Sequence, residues 1–379
     1  MRKIKLLSII ESLGRGGAEH LLVNNLCELK KLGMDCEVIT LFSDNQLAVE
    51  LEKVGIVVHQ IFLSNKWNIF EGIRKIRKIL NSSKYDIIHA HLFFAYFYTS
   101  LVTLFNSKIK TVVTFHNLGY NTYPANTIVK KLRKKLDEFI VNKLIDKRVA
   151  ISSAVKKHFN QELKCKDIDI IHNAIPIDSI KNFTFRTQFD VLSEYTKFDS
   201  NNTYLITPGR LVQEKGHIYL LKAIIELNIS NPNLVFLIVG SGPKEIEIKN
   251  FIKSNQINNI ILISGVEQKR LFELINSSDI VVIPSISEGF GMIVAEAMCL
   301  NKPIISTKID GILDLINKEQ ALLVEPKNST LLSKSILKLV KSPNLQKELI
   351  EHSSIRIKEF DTKFIAKKWL KYYEEMIKK

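Results

Sequence analysis

The amino-acid sequence predicts an α/β chain built as two doubly wound, parallel-sheet domains of comparable size. Three observations predict it. Short runs of Val, Ile and Leu alternate with longer segments of helical period, the pattern of strands joined by crossover helices. The alternation fades in a polar stretch near residue 200 and then restarts. The length, 379 residues, exceeds what one core usually serves.

Taken in order, strands are expected at 4–10, 36–41, 57–61, 87–90, 110–115, 148–151 and 168–171, with helices between most of them, giving a first domain over residues 1–180. A glycine-rich turn, Gly14-Arg15-Gly16-Gly17, leads from the first strand into a helix expected at 19–32. It resembles a dinucleotide fingerprint but places Glu19 where the last glycine would permit close helix packing, so phosphate or sugar binding at the helix start is what is left. The apolar run 92–105 carries Thr99, Ser100 and Thr103 and falls short of bilayer-spanning length, which predicts a core helix. The first five residues run directly into a strand and lack the apolar core of a signal peptide.

Residues 181–202 show little periodicity and are expected to connect the domains, with Phe183, Phe185 and Phe189 packed on one of them. The second domain, 203–362, is expected to hold strands at 204–207, 234–239, 260–264, 279–283 and 303–306. A last helix, 363–379, places Phe364, Trp369, Tyr372 and Tyr373 among lysines.

Composition excludes several classes. With 46% hydrophobic and 25% charged residues the chain is globular rather than disordered. The four cysteines form no C-x-x-C pair, so neither a zinc site nor a disulfide framework is indicated and reduced thiols are expected. The net charge of +15 is uneven: residues 1–180 hold 27 Lys/Arg against 17 Asp/Glu. Segments 74–80 and 130–136 interleave cations with apolar residues at helical spacing. Each reads as a solvated helix face, or as a surface for an anionic membrane or nucleic acid. No nucleic-acid-binding module accompanies the charge, and no nucleic-acid partner is expected.

Ligands of parallel sheets bind beyond the carboxyl ends of the strands. In the first domain those positions hold the Gly14–Gly17 turn, His91, His116-Asn117 and Ser152-Ser153. In the second, Arg210 and Lys215 lie between a strand and a helix, where two cations and helix-start amides suit a diphosphate. Strand 279–283 runs into Pro284-Ser285-Ile286-Ser287-Glu288-Gly289-Phe290-Gly291 and then a helix carrying Glu296. Its glycines allow a close ligand approach, and the two carboxylates, one before the helix and one more than a turn inside it, address different parts of one ligand.

These elements together resemble the retaining glycosyltransferases of family 4, also called group 1, whose GT-B fold is two Rossmann-like parallel-sheet domains facing across a cleft. The matching elements come in order: Gly209-Arg210 with Glu214-Lys215-Gly216, Gly240-Ser241-Gly242-Pro243, Gly265, Asp279, then Glu288-Gly289-Phe290-Gly291 and Glu296-Ala297-Met298, with the E-x7-E spacing of Glu288 and Glu296. Gly16-Gly17-Ala18-Glu19, His116 and Asn173 match in the first half.

The resemblance implies that Arg210 and Lys215 bind the donor diphosphate, Glu296 the ribose hydroxyls, and the backbone of Phe290, Gly291, Met292 and Ile293 the phosphate and sugar, with Gly240, Gly242 and Gly265 also in the donor site. Glu288 and His116 would act at the transferred sugar, and Gly16 and Gly17 would let acceptor or phosphate approach. The closing helix would cross back to the first domain.

No Asp-x-Asp motif for a divalent ion is recognised, so a metal-independent reaction is expected, with no cofactor and the nucleotide-diphosphate sugar as substrate. Expected partners are that donor, a glycan or lipid-linked acceptor and an anionic membrane surface. The expected setting is cytoplasmic, peripheral on the inner face of the plasma membrane, in capsule, lipopolysaccharide or exopolysaccharide synthesis. Asn301-Lys302-Pro303, Ile309-Asp310-Gly311 and Asp314 depart from the family pattern near the donor sugar. The alternatives are a nucleotide-sugar epimerase on the same fold and, on charge alone, a basic nucleic-acid-binding protein.

Overall fold

The computed structural model describes residues 3–14, 16–104, 108–122, 126–228 and 233–378. Arg15 of the glycine turn, Phe105 at the end of the apolar run, residues 123–125 of the loop after His116, Met1, Arg2 and Lys379 lie outside the described residues. The chain divides into two compact units, Met1–Ile175 with Phe360–Lys379, and Pro176–Glu359.

The first unit holds β1 (Lys5–Ile10), β2 (Asp35–Thr40), β3 (Val57–Gln60), β4 (Ile87–His91), β5 (Lys110–Phe115), β6 (Lys147–Ala150) and β7 (Ile168–Ile170). All pairings are parallel, in the order β3-β2-β1-β4-β5-β6-β7. Helices cover both faces of such a sheet, so β4 is buried along its whole length, its two histidines included, rather than alternating between buried and exposed. The run after β4 is the helix Phe93–Thr103, most of whose side chains are buried. Among the described residues, no helix is long and apolar enough to cross a membrane.

The second unit holds β8 (Thr203–Pro208), β9 (Leu234–Val239), β10 (Ile260–Ile263), β11 (Ile280–Ile283), β12 (Ile304–Thr307) and β13 (Leu322–Val324), ordered β10-β9-β8-β11-β12-β13 and again parallel. In both sheets chain order reverses beside the first strand of the unit, between β1 and β4 and between β8 and β11. These are the switch points where crossover helices diverge and open a crevice.

Residues 181–202 lie in the second unit and contain the helix Gln188–Leu192. Val191 and Leu192 are fully buried there. Arg186 bonds Glu194 and Glu273, each at 2.7 Å, and Arg270 reaches the same two carboxylates, so a charge network adds to the burial of Val191 and Leu192. The chain re-enters the first unit beside the point where it left: the Ile175 amide donates to the Phe360 carbonyl at 2.8 Å, and the Thr362 amide to Ile175 at 3.1 Å. The helix Thr362–Lys378 then buries Ile365, Trp369, Tyr373 and Met376, a stripe at three- and four-residue spacing. The stripe joins the core beneath the helix Gly17–Lys31, with Leu22, Leu26 and Leu29.

Candidate active site

At the switch point of the second sheet, the segment after β8 is tied to the segment after β11. Gly216 ends the short 3-10 turn Gln213–Lys215 with φ +68, and a Cβ there would stand 2.0 Å from the Pro284 carbonyl oxygen. Only glycine permits that approach. The Glu214 carbonyl accepts the Ile286 amide at 2.7 Å and the Ser287 amide at 3.3 Å. Lys215 is thereby delivered to Glu288, with Nζ 2.5 Å from Oε1, and the Ser285 hydroxyl donates to the same oxygen at 2.8 Å. Ser285 is in turn fixed by Thr307, whose hydroxyl donates to its carbonyl at 2.5 Å.

Glu296 lies one turn into the helix Met292–Cys299 and is buried. Its Oε1 accepts from Gln268 Nε2 at 3.4 Å, and its Oε2 has no partner among the described residues. Burial raises its pKa to about 7, against the opposing Gln268 hydrogen bond and Lys215 charge. A carboxylate kept dry, with one free oxygen and a cation nearby, is ready to accept a ligand hydroxyl. Arg210 is exposed, and its side chain has no hydrogen-bond partner among the described residues. Phe290 is buried, Gly291 caps the helix in the left-handed region with φ +83, and Met292 and Ile293 are half-buried behind it.

Gly240 and Gly242 let the segment after β9 run against Gly209–Leu211: a Cβ on Gly240 would stand 1.9 Å from the Gly209 carbonyl oxygen. A Cβ on Gly265 would meet Ser241 Oγ at 3.1 Å. Their packing accounts for these glycines without a ligand, and their place in a donor site is a proposal. Gly311 belongs to a stretch that departs from the family pattern, yet a Cβ there would lie 2.2 Å from the Glu288 carbonyl oxygen. It therefore helps to set the Glu288 backbone. Gln268 was not foreseen in the sequence; its one signal is that it opens a helix just after Gly265.

At the switch point of the first sheet, His91 ends β4 and His116 follows β5, with His91 Nδ1 2.9 Å from His116 Nε2. His89 lies against His91 with ring centres 4.0 Å apart and bonds the Thr114 and Tyr373 hydroxyls, each at 2.7 Å. Burial lowers the pKa of all three, that of His116 to about 4, so they are neutral near pH 7. Gly16 caps the helix Gly17–Lys31, and a Cβ on Gly17 would meet nothing within 4 Å, so the chain's own packing does not require glycine there. Ser152 accepts the Val155 amide at 3.0 Å as a helix cap, a structural role. Asn173 is buried.

One Asp-x-Asp does occur, Asp167-Ile168-Asp169, and corrects the expectation that the chain has none. It lies at the edge strand β7, where Asp169 accepts from the Tyr372 hydroxyl at 2.7 Å, with Lys147 4.0 Å away.

A pair of parallel-sheet α/β units, with a cation–carboxylate pair and a buried carboxylate at one switch point, defines the class of sugar-transferring enzymes with the GT-B fold. The model of the glycosyl transferases group 1 matches residues 189–355, and that of glycosyltransferase family 4 matches residues 15–179. The chain belongs to this family of glycosyltransferases.

Similar proteins include an uncharacterized glycosyltransferase of Methanocaldococcus jannaschii, 25% identical over 86% of this chain and 87% of its own. A glycosyltransferase from Rickettsia africae superposes over 100% of both chains with TM-score 0.81 and 24% identity. HepE of Anabaena, solved in complex with UDP, superposes over 98% of this chain and 100% of its own, with TM-score 0.80 and 19% identity. HepE has also been solved in complex with UDP-glucose.

Proposed function

We propose that the chain transfers a sugar from a nucleotide-diphosphate sugar to a glycan or lipid-linked acceptor in surface polysaccharide synthesis, with retained anomeric configuration and no metal ion. The observation that carries this reading is the Lys215–Glu288 pair at 2.5 Å beside a buried Glu296 with an unpartnered oxygen. The donor ribose hydroxyls donate to Glu296. The diphosphate lies against Lys215, Arg210 and the positive end of the helix Met292–Cys299. Glu288 accepts a hydroxyl of the transferred sugar. That HepE binds UDP-glucose on the same fold supports this class of donor.

In the reaction the bond from the anomeric carbon to the phosphate oxygen breaks as positive charge grows on the sugar. The electron pair leaves on the diphosphate, where the Lys215 cation stabilises it. The acceptor hydroxyl attacks from the face being vacated and gives its proton to the departing phosphate oxygen. Glu288 already accepts from Lys215 and Ser285, which lowers its nucleophilicity and suits a hydrogen-bonding role. His116, neutral near pH 7, serves as a hydrogen-bonding partner of the sugar.

Removing one preorganised charge-stabilising group typically costs about 10²–10³ in kcat. Lys215→Ala and Glu288→Gln are expected to lower transfer by that order, with the folded state intact by circular dichroism. Full transfer by either variant would remove the site assignment.

A further inference from the structure

The first unit contains a cavity of about 560 Å³ beside His116, and its lining says what enters it. It opens at the switch point: Glu11 follows β1, Phe93 and Phe94 follow β4, and Phe115 ends β5. Its volume lies in the range of small-molecule sites. One wall is aromatic, with Phe115 and Phe159 stacked at 3.8 Å. Another part of the lining is the helix Ile128–Lys143, which turns Lys130, Arg133, Lys134 and Asp137 to the cavity at i, i+3, i+4 and i+7 spacing.

The polar groups there are unequally satisfied. Both carboxylates are engaged: Glu11 accepts the Phe94 amide at 3.1 Å, and Asp137 accepts the hydroxyls of Tyr96 and Tyr120. Lys134 is paired with Glu162 at 2.5 Å. Arg133 and Lys66 are different. The Arg133 guanidinium stacks on Phe93 at 4.0 Å, and Lys66 lies over Phe94 at 5.6 Å. Neither side chain has a hydrogen-bond or ion-pair partner among the described residues. An arginine oriented by a ring, with its donors open and a second free cation on the same aromatic cluster, matches a planar or tetrahedral oxyanion. The Glu11 carboxylate faces both cations and Asp137 faces Arg133, so what is left open is the hydrogen-bonding capacity of the guanidinium and ammonium rather than their charge.

The helix Ile128–Lys143 also carries an apolar stripe away from the cavity: Ile128, Val129 and Leu132 are 78%, 76% and 61% exposed, with Phe139 exposed further along.

We propose that this cavity, which His116 also lines, is the acceptor subsite and that the acceptor bears a phosphate held by Arg133 and Lys66. The proposal rests on the glycosyltransferase reading and adds the acceptor's charge class. The phosphate comes either from a lipid-borne acceptor, whose chain follows the apolar stripe, or from a soluble phosphosugar.

Calorimetric titration of the full chain with octyl phosphate, octyl glucoside and inorganic phosphate tests it. Octyl phosphate is expected to bind at least tenfold tighter than octyl glucoside, which shares its tail. Arg133→Ala, at an exposed position, is expected to remove at least tenfold of that affinity, and Arg133→Lys to restore part of it. Inorganic phosphate binding as tightly as octyl phosphate, with the same loss in Arg133→Ala, supports the subsite with a soluble source; much weaker binding supports it with a lipid source. Equal affinities for octyl phosphate and octyl glucoside, or an unchanged affinity in Arg133→Ala, would overturn it. A parallel titration with UDP reports on the second unit: loss of UDP binding sinks the donor reading, whereas UDP binding without phosphate binding sinks only the acceptor proposal.

Discussion

At the scale of single residues, Glu296 makes the sharpest prediction. Its folded pKa of about 7 lies above the ordinary carboxyl value of 4.5, so the folded state favours the protonated form. The stability linked to it is fully present below pH 4.5 and is lost as pH rises through 7, a change of about 3 kcal/mol at most. Ribose hydroxyls that donate to this group favour the ionised form instead. UDP affinity is therefore expected to rise with pH through about 7, with proton release measurable by calorimetry in buffers of different ionisation enthalpy. Glu296→Gln should abolish the proton release and weaken UDP by roughly 10- to 100-fold, the worth of a hydrogen bond to a charged group. A pH-independent affinity would contradict the role.

Glu288, Lys215 and Glu296 were legible in the sequence because a strand, a glycine-framed loop and a helix start announce them locally. Their pairing was not, because Lys215 and Glu288 are 73 residues apart and are brought together by the Gly216–Pro284 approach and the bonds from the Ile286 and Ser287 amides to the Glu214 carbonyl. Gln268 was invisible for a related reason, since a single glutamine has no sequence signature and acts only through the tertiary placement of its helix. The tests of Lys215 and Arg133 belong to this scale too.

At the scale of elements, strands buried on both faces declared themselves as apolar runs, and twelve of the thirteen in the two sheets were expected. The exception, β13, spans only Leu322–Val324 and is too short to show a period. The helix Gln188–Leu192 was missed because five residues with two buried side chains, Val191 and Leu192, are too few to show a helical period. The basic helices Ile69–Ser82 and Ile128–Lys143 were foreseen with two readings open. The second combines lysines with an exposed apolar stripe, the pattern of a helix that lies in a membrane interface. Each cation near an anionic surface adds about 1 kcal/mol, lost at high salt. Cosedimentation with phosphatidylglycerol vesicles is therefore expected at low ionic strength, with release by salt and marked weakening in Ile128→Ser/Leu132→Ser. No sedimentation at low salt would return this face to solvent.

At the scale of the whole molecule, the repeated α/β pattern predicted two parallel sheets, and the structure shows both with the same order about their first strands. That order fixes where chemistry can gather, because only the switch points leave strand ends uncovered by diverging helices. The second sheet places the Lys215–Glu288 pair there, and the first places His116 beside a cationic, aromatic cavity. The most direct measurement is proton NMR of α-linked nucleotide-diphosphate sugars incubated with the protein in excess EDTA, following the anomer released to water before it mutarotates. The predicted result is turnover of one donor, with the α-anomer appearing first. Release of the β-anomer, or turnover that stops in EDTA, would contradict metal-free transfer with retention.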